Sequence, residues 1–155
     1  RGIASGTAVF AASMIGPMQV AGRLVMLAFE RRVSSLRIFA GCFVVMMAAS
    51  FSLFGTTLLS AFLVVFIVLQ GSGYGATSIL RPVVTAEILG RKNFGLIAGF
   101  LAIPFLVASA LAPTIAALIW QAGGYDIVIW FAAGAALVGL VSLLIAASSA
   151  KRASS

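Results

Sequence analysis

Residues 38–80 read IFAGCFVVMMAASFSLFGTTLLSAFLVVFIVLQGSGYGATSIL, a run of 43 positions between Arg37 and Arg81 without one Asp, Glu, Lys or Arg. Coiled as one helix, the run would be roughly 64 Å long at about 1.5 Å per residue. That is about twice the ~30 Å hydrocarbon core of a bilayer, so the run folds back on itself. The two returning ends carry Glu30, Arg31, Arg32 and Arg37 on one side and Arg81, Glu87, Arg91 and Lys92 on the other. The fold-back at Gly55-Thr56-Thr57 carries no charge. This pattern predicts a helical hairpin through a membrane with its basic ends on one face.

Composition agrees. Hydrophobic residues make up 63% of the chain and charged residues 8%, with a mean hydropathy of +1.21. A soluble domain carries about 25% charged residues, and so little polar surface cannot cover a water-facing globule. The formal charge of +7 does not mark a nucleic-acid partner, because the basic residues form short clusters between apolar spans instead of a stripe on a soluble face. The single Cys42 lies inside an apolar span and forms no disulfide framework.

Cutting at charges and turn residues gives five candidate transmembrane helices: residues 3–29, 38–56, 58–80, 94–120 and 127–147. Each is near the length a tilted membrane helix needs. The fold class expected is all-α, a polytopic integral membrane bundle in one membrane domain. Arg31, Arg32, Arg37, Arg81, Arg91, Lys92, Lys151 and Arg152 follow spans one, three and five, eight of the ten basic residues. Basic loops stay in the cytoplasm, which puts the C-terminus there and the N-terminal end outside, in a bacterial inner or plasma membrane. A chain that starts at Arg1, shows no signal-peptide pattern and has five spans with its N-terminus outside reads as a piece of something longer.

Three motifs share a family resemblance. Span one ends Gly16-Pro17-Met18-Gln19-Val20-Ala21-Gly22-Arg23-Leu24 and is followed by Glu30-Arg31-Arg32. This resembles the signature of the major facilitator superfamily, with Met26 where the family's acidic residue falls, as in the degenerate copy between helices eight and nine. The stretch from Pro82 through Glu87, Arg91 and Gly95 looks like the family's connection into helix eleven, and Gly123-Gly124-Tyr125 like its link between helices eleven and twelve. The resemblance implies a partial major-facilitator fold, helices eight to twelve of a secondary active transporter. Its parent would move a small solute by alternating access around a midplane site. The partners implied are the lipid bilayer, the remaining helices of the parent transporter and a small-molecule solute.

Inverted repeats are common in transporters, so span one has its counterpart in span four. Gly16-Pro17 and Ala112-Pro113 place a small residue and a proline deep in each. Pro17, Pro104 and Pro113 are candidate kinks, because a proline inside a helix removes one backbone hydrogen bond.

Gln70 and Tyr74, four residues apart, share a helix face at mid-membrane. Uncompensated polar groups are costly in hydrocarbon, so both face protein or water. They either contact a solute, as the resemblance to helix ten implies, or bond a neighbouring helix. Ser13, Met14 and Gln19 are weaker candidates for the same cavity. Arg23, Arg31, Arg32, Glu87 and Arg91 either signal topology as solvated charges or form the cytoplasmic gate that the resemblance implies. Gly71-Ser72-Gly73-Tyr74-Gly75-Ala76 formally matches a dinucleotide fingerprint, but the preceding run is too long for a strand. It reads instead as a small-residue face for close helix approach or cavity lining. Trp120, Tyr125 and Trp130 form an anchoring belt at the outer boundary.

With no His, one Cys and three scattered acids, the chain offers no metal site and no cofactor site. Nor does it offer a catalytic triad or a carboxylate pair, and it is not expected to be an enzyme. The alternative function is a non-transporting membrane scaffold or assembly protein that packs against partner helices.

Overall fold

The computed structural model describes residues 5–59 and 61–153. It is all-helical, with no strand among the described residues: α1 (Ser5–Glu30), α2 (Ser35–Gly55), α3 (Ala61–Leu89) and α4 (Phe94–Ala153). All four are long and apolar enough to cross a bilayer, and the chain is built as a multi-pass membrane protein. The expected start of the first span, at residue 3, lies outside the described residues.

Local chemistry sets the turns. After α1, the Arg32 and Val33 amides donate to the Phe29 carbonyl, and Ser34, extended at φ −62° and ψ 143°, starts α2. At the uncharged fold-back the Leu58 and Leu59 amides donate to the Gly55 carbonyl. The Thr56 and Thr57 hydroxyls donate to the carbonyls of Leu53 and Phe54 at 2.7 and 2.9 Å. Helix-end carbonyls have no partner within the helix, and these hydroxyls bond two of them without any charge.

Helix α3 runs past Leu80, the end expected from sequence, through Arg81 and Pro82 to Leu89. Val84 lies in this extension and is 2% exposed, so burial continues where the charge pattern suggests a loop. The helix stops at Gly90, whose φ of 81° is the left-handed geometry that commonly ends helices. At 29 residues, α3 is roughly 43 Å long and projects beyond the hydrocarbon core.

Helices α1 and α3 lie parallel and touch backbone to backbone. A Cβ on Gly75 would fall on the Gln19 carbonyl, one on Gly71 against Met18, and one on Gly22 on the Ser72 backbone. Gly73 turns the other way, toward Cys42 and Met46 of α2, which lies antiparallel to α3. Where the three helices meet, Met26, Cys42, Ala76 and Leu80 form the core, with Ile38, Phe39 and Ile79 packed on it. The glycine-rich run is therefore a packing face serving two neighbours at once.

Helix α4 loses helical geometry at Gly123 (φ −155°, ψ 15°) and Gly124 (φ 76°, ψ −175°). Its first residues lie beside α3, where Phe94 and Phe105 share a cavity with Arg81 and Thr85. Its last turns, at Ala147 and Ala150, border Leu36, Leu89 and Gly90. Both ends thus lie at the same end of the bundle, so α4 reverses direction between them. The returning part packs on α2: Trp130 meets Phe51 edge-on with ring centres 5.4 Å apart, and Gly139 lies under Phe43. The outgoing part stays largely uncovered, with Phe100, Leu106 and Leu118 each at least 60% exposed. Such a surface is stable against lipid or further helices and unstable against water.

Candidate functional site

The basic segments Arg31–Arg37 and Arg91–Lys92 meet at the end of the bundle where α1 and α3 stop and α2 and α4 begin. The last turn of α4, with Arg152, returns to the same end. Gly55–Thr57 and the Gly123–Gly124 break form the opposite end. Arg23, Arg31, Arg32, Glu87 and Arg91 are all exposed. Among the described residues, no ion pair joins Glu30 or Glu87 to any of these arginines. The i, i+4 relation of Glu87 and Arg91 is not a helical one, because Gly90 ends α3 between them.

Helix α3 carries an extended polar face. Gln70, Tyr74, Ser78, Arg81 and Thr85 follow one another at intervals of four, four, three and four residues, so a helix of about 3.6 residues per turn aligns them in one stripe. Gly71 and Gly75 turn toward α1, and Gly73, Ala76 and Leu80 turn toward α2. The polar stripe takes the third side. Tyr74 is 45% exposed and Gln70 half-buried. Neither side chain has a hydrogen-bond partner among the described residues.

The stripe leads toward the basic end and meets α4 at Arg81, whose guanidinium lies 3.6 Å from the centre of the Phe105 ring. A cavity of about 590 Å³ surrounds this contact. Ser78 and Thr77 turn their hydroxyls back onto their own helix, donating to Gly75 at 2.7 Å and to Tyr74 at 2.8 Å. That removes the Ser78 donor from the stripe. Gln70, Tyr74, Arg81 and Thr85 therefore remain the stripe groups able to bond to something outside the helix.

The α1 candidates are separate from this stripe. Ser13 is exposed and donates to the Phe10 carbonyl at 2.8 Å. Met14 and Gln19 are half-buried, and the Gln19 backbone is what Gly75 packs against. Helix α1 thus reaches α3 on the glycine side, one face away from Gln70 and Tyr74. Ser78 was legible as a member of the stripe from its spacing alone, whereas Arg81 and Thr85 join it only because α3 runs on past Leu80. Arg81 and Pro82 together mimic a loop start, which hides that continuity.

A second cavity, about 600 Å³, lies between α1, α2 and α3 and is apolar apart from Ser72 and Cys42. Pro17, Pro104 and Pro113 sit inside unbroken helix, and among the described residues the only non-helical backbone inside an element is at Gly123 and Gly124. Among the described residues no group of His, Cys, Asp or Glu could hold a metal ion.

No known protein family, curated protein or solved structure matches this chain.

Proposed function

We propose that this chain is part of a secondary active transporter of a small solute and crosses the membrane five times, with α4 crossing twice by reversing at Gly123–Gly124. The observation that carries the reading is the α3 stripe. It holds Gln70, Tyr74 and Arg81 on one side of α3, with no partner among the described residues for the first two. In hydrocarbon such groups need water, a solute or another helix. A solute path along α3 from mid-membrane to the basic end meets that need. The arrangement also suits the resemblance to the C-terminal half of a major facilitator superfamily transporter, in which the remaining helices would complete the path over the exposed faces of α3 and α4. Sidedness follows from the basic end, which puts the C-terminus in the cytoplasm.

The second reading is a membrane scaffold, favoured by the packing role of Gly71, Gly73 and Gly75. Single cysteines at Gln70 and Tyr74, in the full parent protein with Cys42 replaced, separate the two. Labelling by a water-soluble thiol reagent, slowed by a transported solute, supports transport. If both positions stay inert while a cysteine at Gly124 labels readily, the stripe is buried packing and the scaffold reading replaces it.

A further inference from the structure

We propose that the apolar groove between α1, α2 and α3 binds one acyl chain of an anionic phospholipid, whose headgroup is held by Arg31, Arg32 and Arg37. This proposal needs the membrane setting only and stands whether or not the chain transports anything.

The groove is lined by Met18, Val25 and Phe29 of α1, Ile38 and Val45 of α2, and Val68 of α3. Val25 and Phe29 are each 56% exposed, and Gly41 in its wall has nothing within 4 Å of a Cβ position. The groove is thus open along its side to the surrounding lipid. From Met18 to Phe29 it extends roughly 16 Å at about 1.5 Å per residue, which is about half of a ~30 Å hydrocarbon core and so the depth of one leaflet. Its volume of about 600 Å³ is that of a ligand site, typically ~300–1,000 Å³.

Charge selects the lipid. The groove begins at Phe29, Val33 and Ile38, and these residues bracket Arg31 and Arg32 in the turn and adjoin Arg37 at the start of α2. All three arginines are exposed, and none makes an ion pair or side-chain hydrogen bond with a described residue. Glu30 is the one acid in the turn itself and Glu87 borders a cavity with Leu36 beside Arg37, so three arginines against these two acids leave the site net positive. A guanidinium binds a phosphate through paired N–H donors, and basic pockets between membrane helices bind anionic headgroups. A zwitterionic lipid would fill the groove equally well, but the ammonium of its own headgroup offsets the phosphate and leaves the arginine charge less well matched.

The test uses the full protein in detergent, titrated with phosphatidylglycerol or phosphatidylcholine of identical chains and read by native mass spectrometry. One phosphatidylglycerol retained in preference to phosphatidylcholine is the expected result. Replacing any one of the three arginines by Gln should weaken that retention by roughly fivefold. Gly41→Leu, at a position where a Cβ meets nothing within 4 Å, puts a side chain into the groove and should abolish retention while the arginines remain. Equal retention of both lipids overturns the proposal. So does anionic retention that survives Gly41→Leu, which would mean surface attraction only. Thermal unfolding of each variant without added lipid confirms that the fold is intact.

Discussion

The Arg81 guanidinium of α3 lies over the Phe105 ring of α4 at 3.6 Å from its centre. A cation against a ring face contributes about 0.5–1 kcal/mol when exposed and about 2 when desolvated. This contact ties the outgoing part of α4 to the bundle near its basic end, where few side chains of that part are covered. Phe105→Leu should therefore lower stability by about 1 kcal/mol. Arg81→Lys keeps part of the interaction, because an ammonium also binds the ring but without the stacking of a planar guanidinium. In a double-mutant cycle with Arg81→Gln, the paired loss should be smaller than the sum of the single losses. Additive losses would show that the contact contributes nothing.

Gly75 is the position least able to accept a side chain, because a Cβ there meets the backbone of Gln19 and not the end of a flexible side chain. Gly75→Ala should separate α1 from α3, costing at least the ~1–3 kcal/mol typical of overpacking. It should show as loss of a monodisperse peak on size exclusion. Gly134→Ala, where nothing stands within 4 Å, should be neutral or slightly stabilising, since Ala outranks Gly in a helix by about 1 kcal/mol.

Gly123 and Gly124 should respond differently to alanine. Gly124, at φ 76° and ψ −175°, occupies a region essentially closed to other residues, and Gly124→Ala should cost about 1–3 kcal/mol. Gly123 is extended at φ −155°, open to any residue, and the nearest atom to its Cβ position is the end of the Ile127 side chain, which can rotate away. Thermal unfolding of the two variants should show a clear drop for Gly124→Ala only.

The proposed five crossings predict a specific sidedness. In a protein with Cys42 replaced, cysteines at Thr57 and Gly124 should label from one side of the membrane, and cysteines at Ser34 and Asn93 from the other. Labelling of Gly124 from the same side as Asn93 would contradict the reversal of α4.

The membrane class, the helical hairpin of α2 and α3 and the clustering of basic residues at one end were all legible in the sequence. Each depends on composition and length. Forty-three uncharged positions admit few structures other than paired helices in lipid. The fold-back at Gly55–Thr57 was legible because the run is too long for one crossing. Less legible was the end of α3. Arg81 and Pro82 mark a loop in sequence, yet Val84 is buried against the neighbouring helices and the helix runs on to Gly90. A tertiary contact overrode the local signal.

The candidate site divides in the same way. Gln70 and Tyr74 were found from spacing, since one helix fixes which residues share a face. That the stripe extends through Ser78 and Arg81 to Thr85 depends on the helix continuing past Leu80, which burial decides. Which face of α3 meets which neighbour was not legible at all. Gly71 and Gly75 turn to α1 while Gly73 turns to α2, and a run of alternate small residues fits either partner equally well. The sequence by itself thus determined the solvent this chain is built for, the presence of several long apolar segments and the end of the bundle that carries charge. Those properties are sums over residues and their spacing along the chain. Only the tertiary structure decided the pairing of faces, the groove beside Arg31–Arg37 and the placing of Arg81 on Phe105, because each depends on the shape of two surfaces meeting, which no single segment encodes.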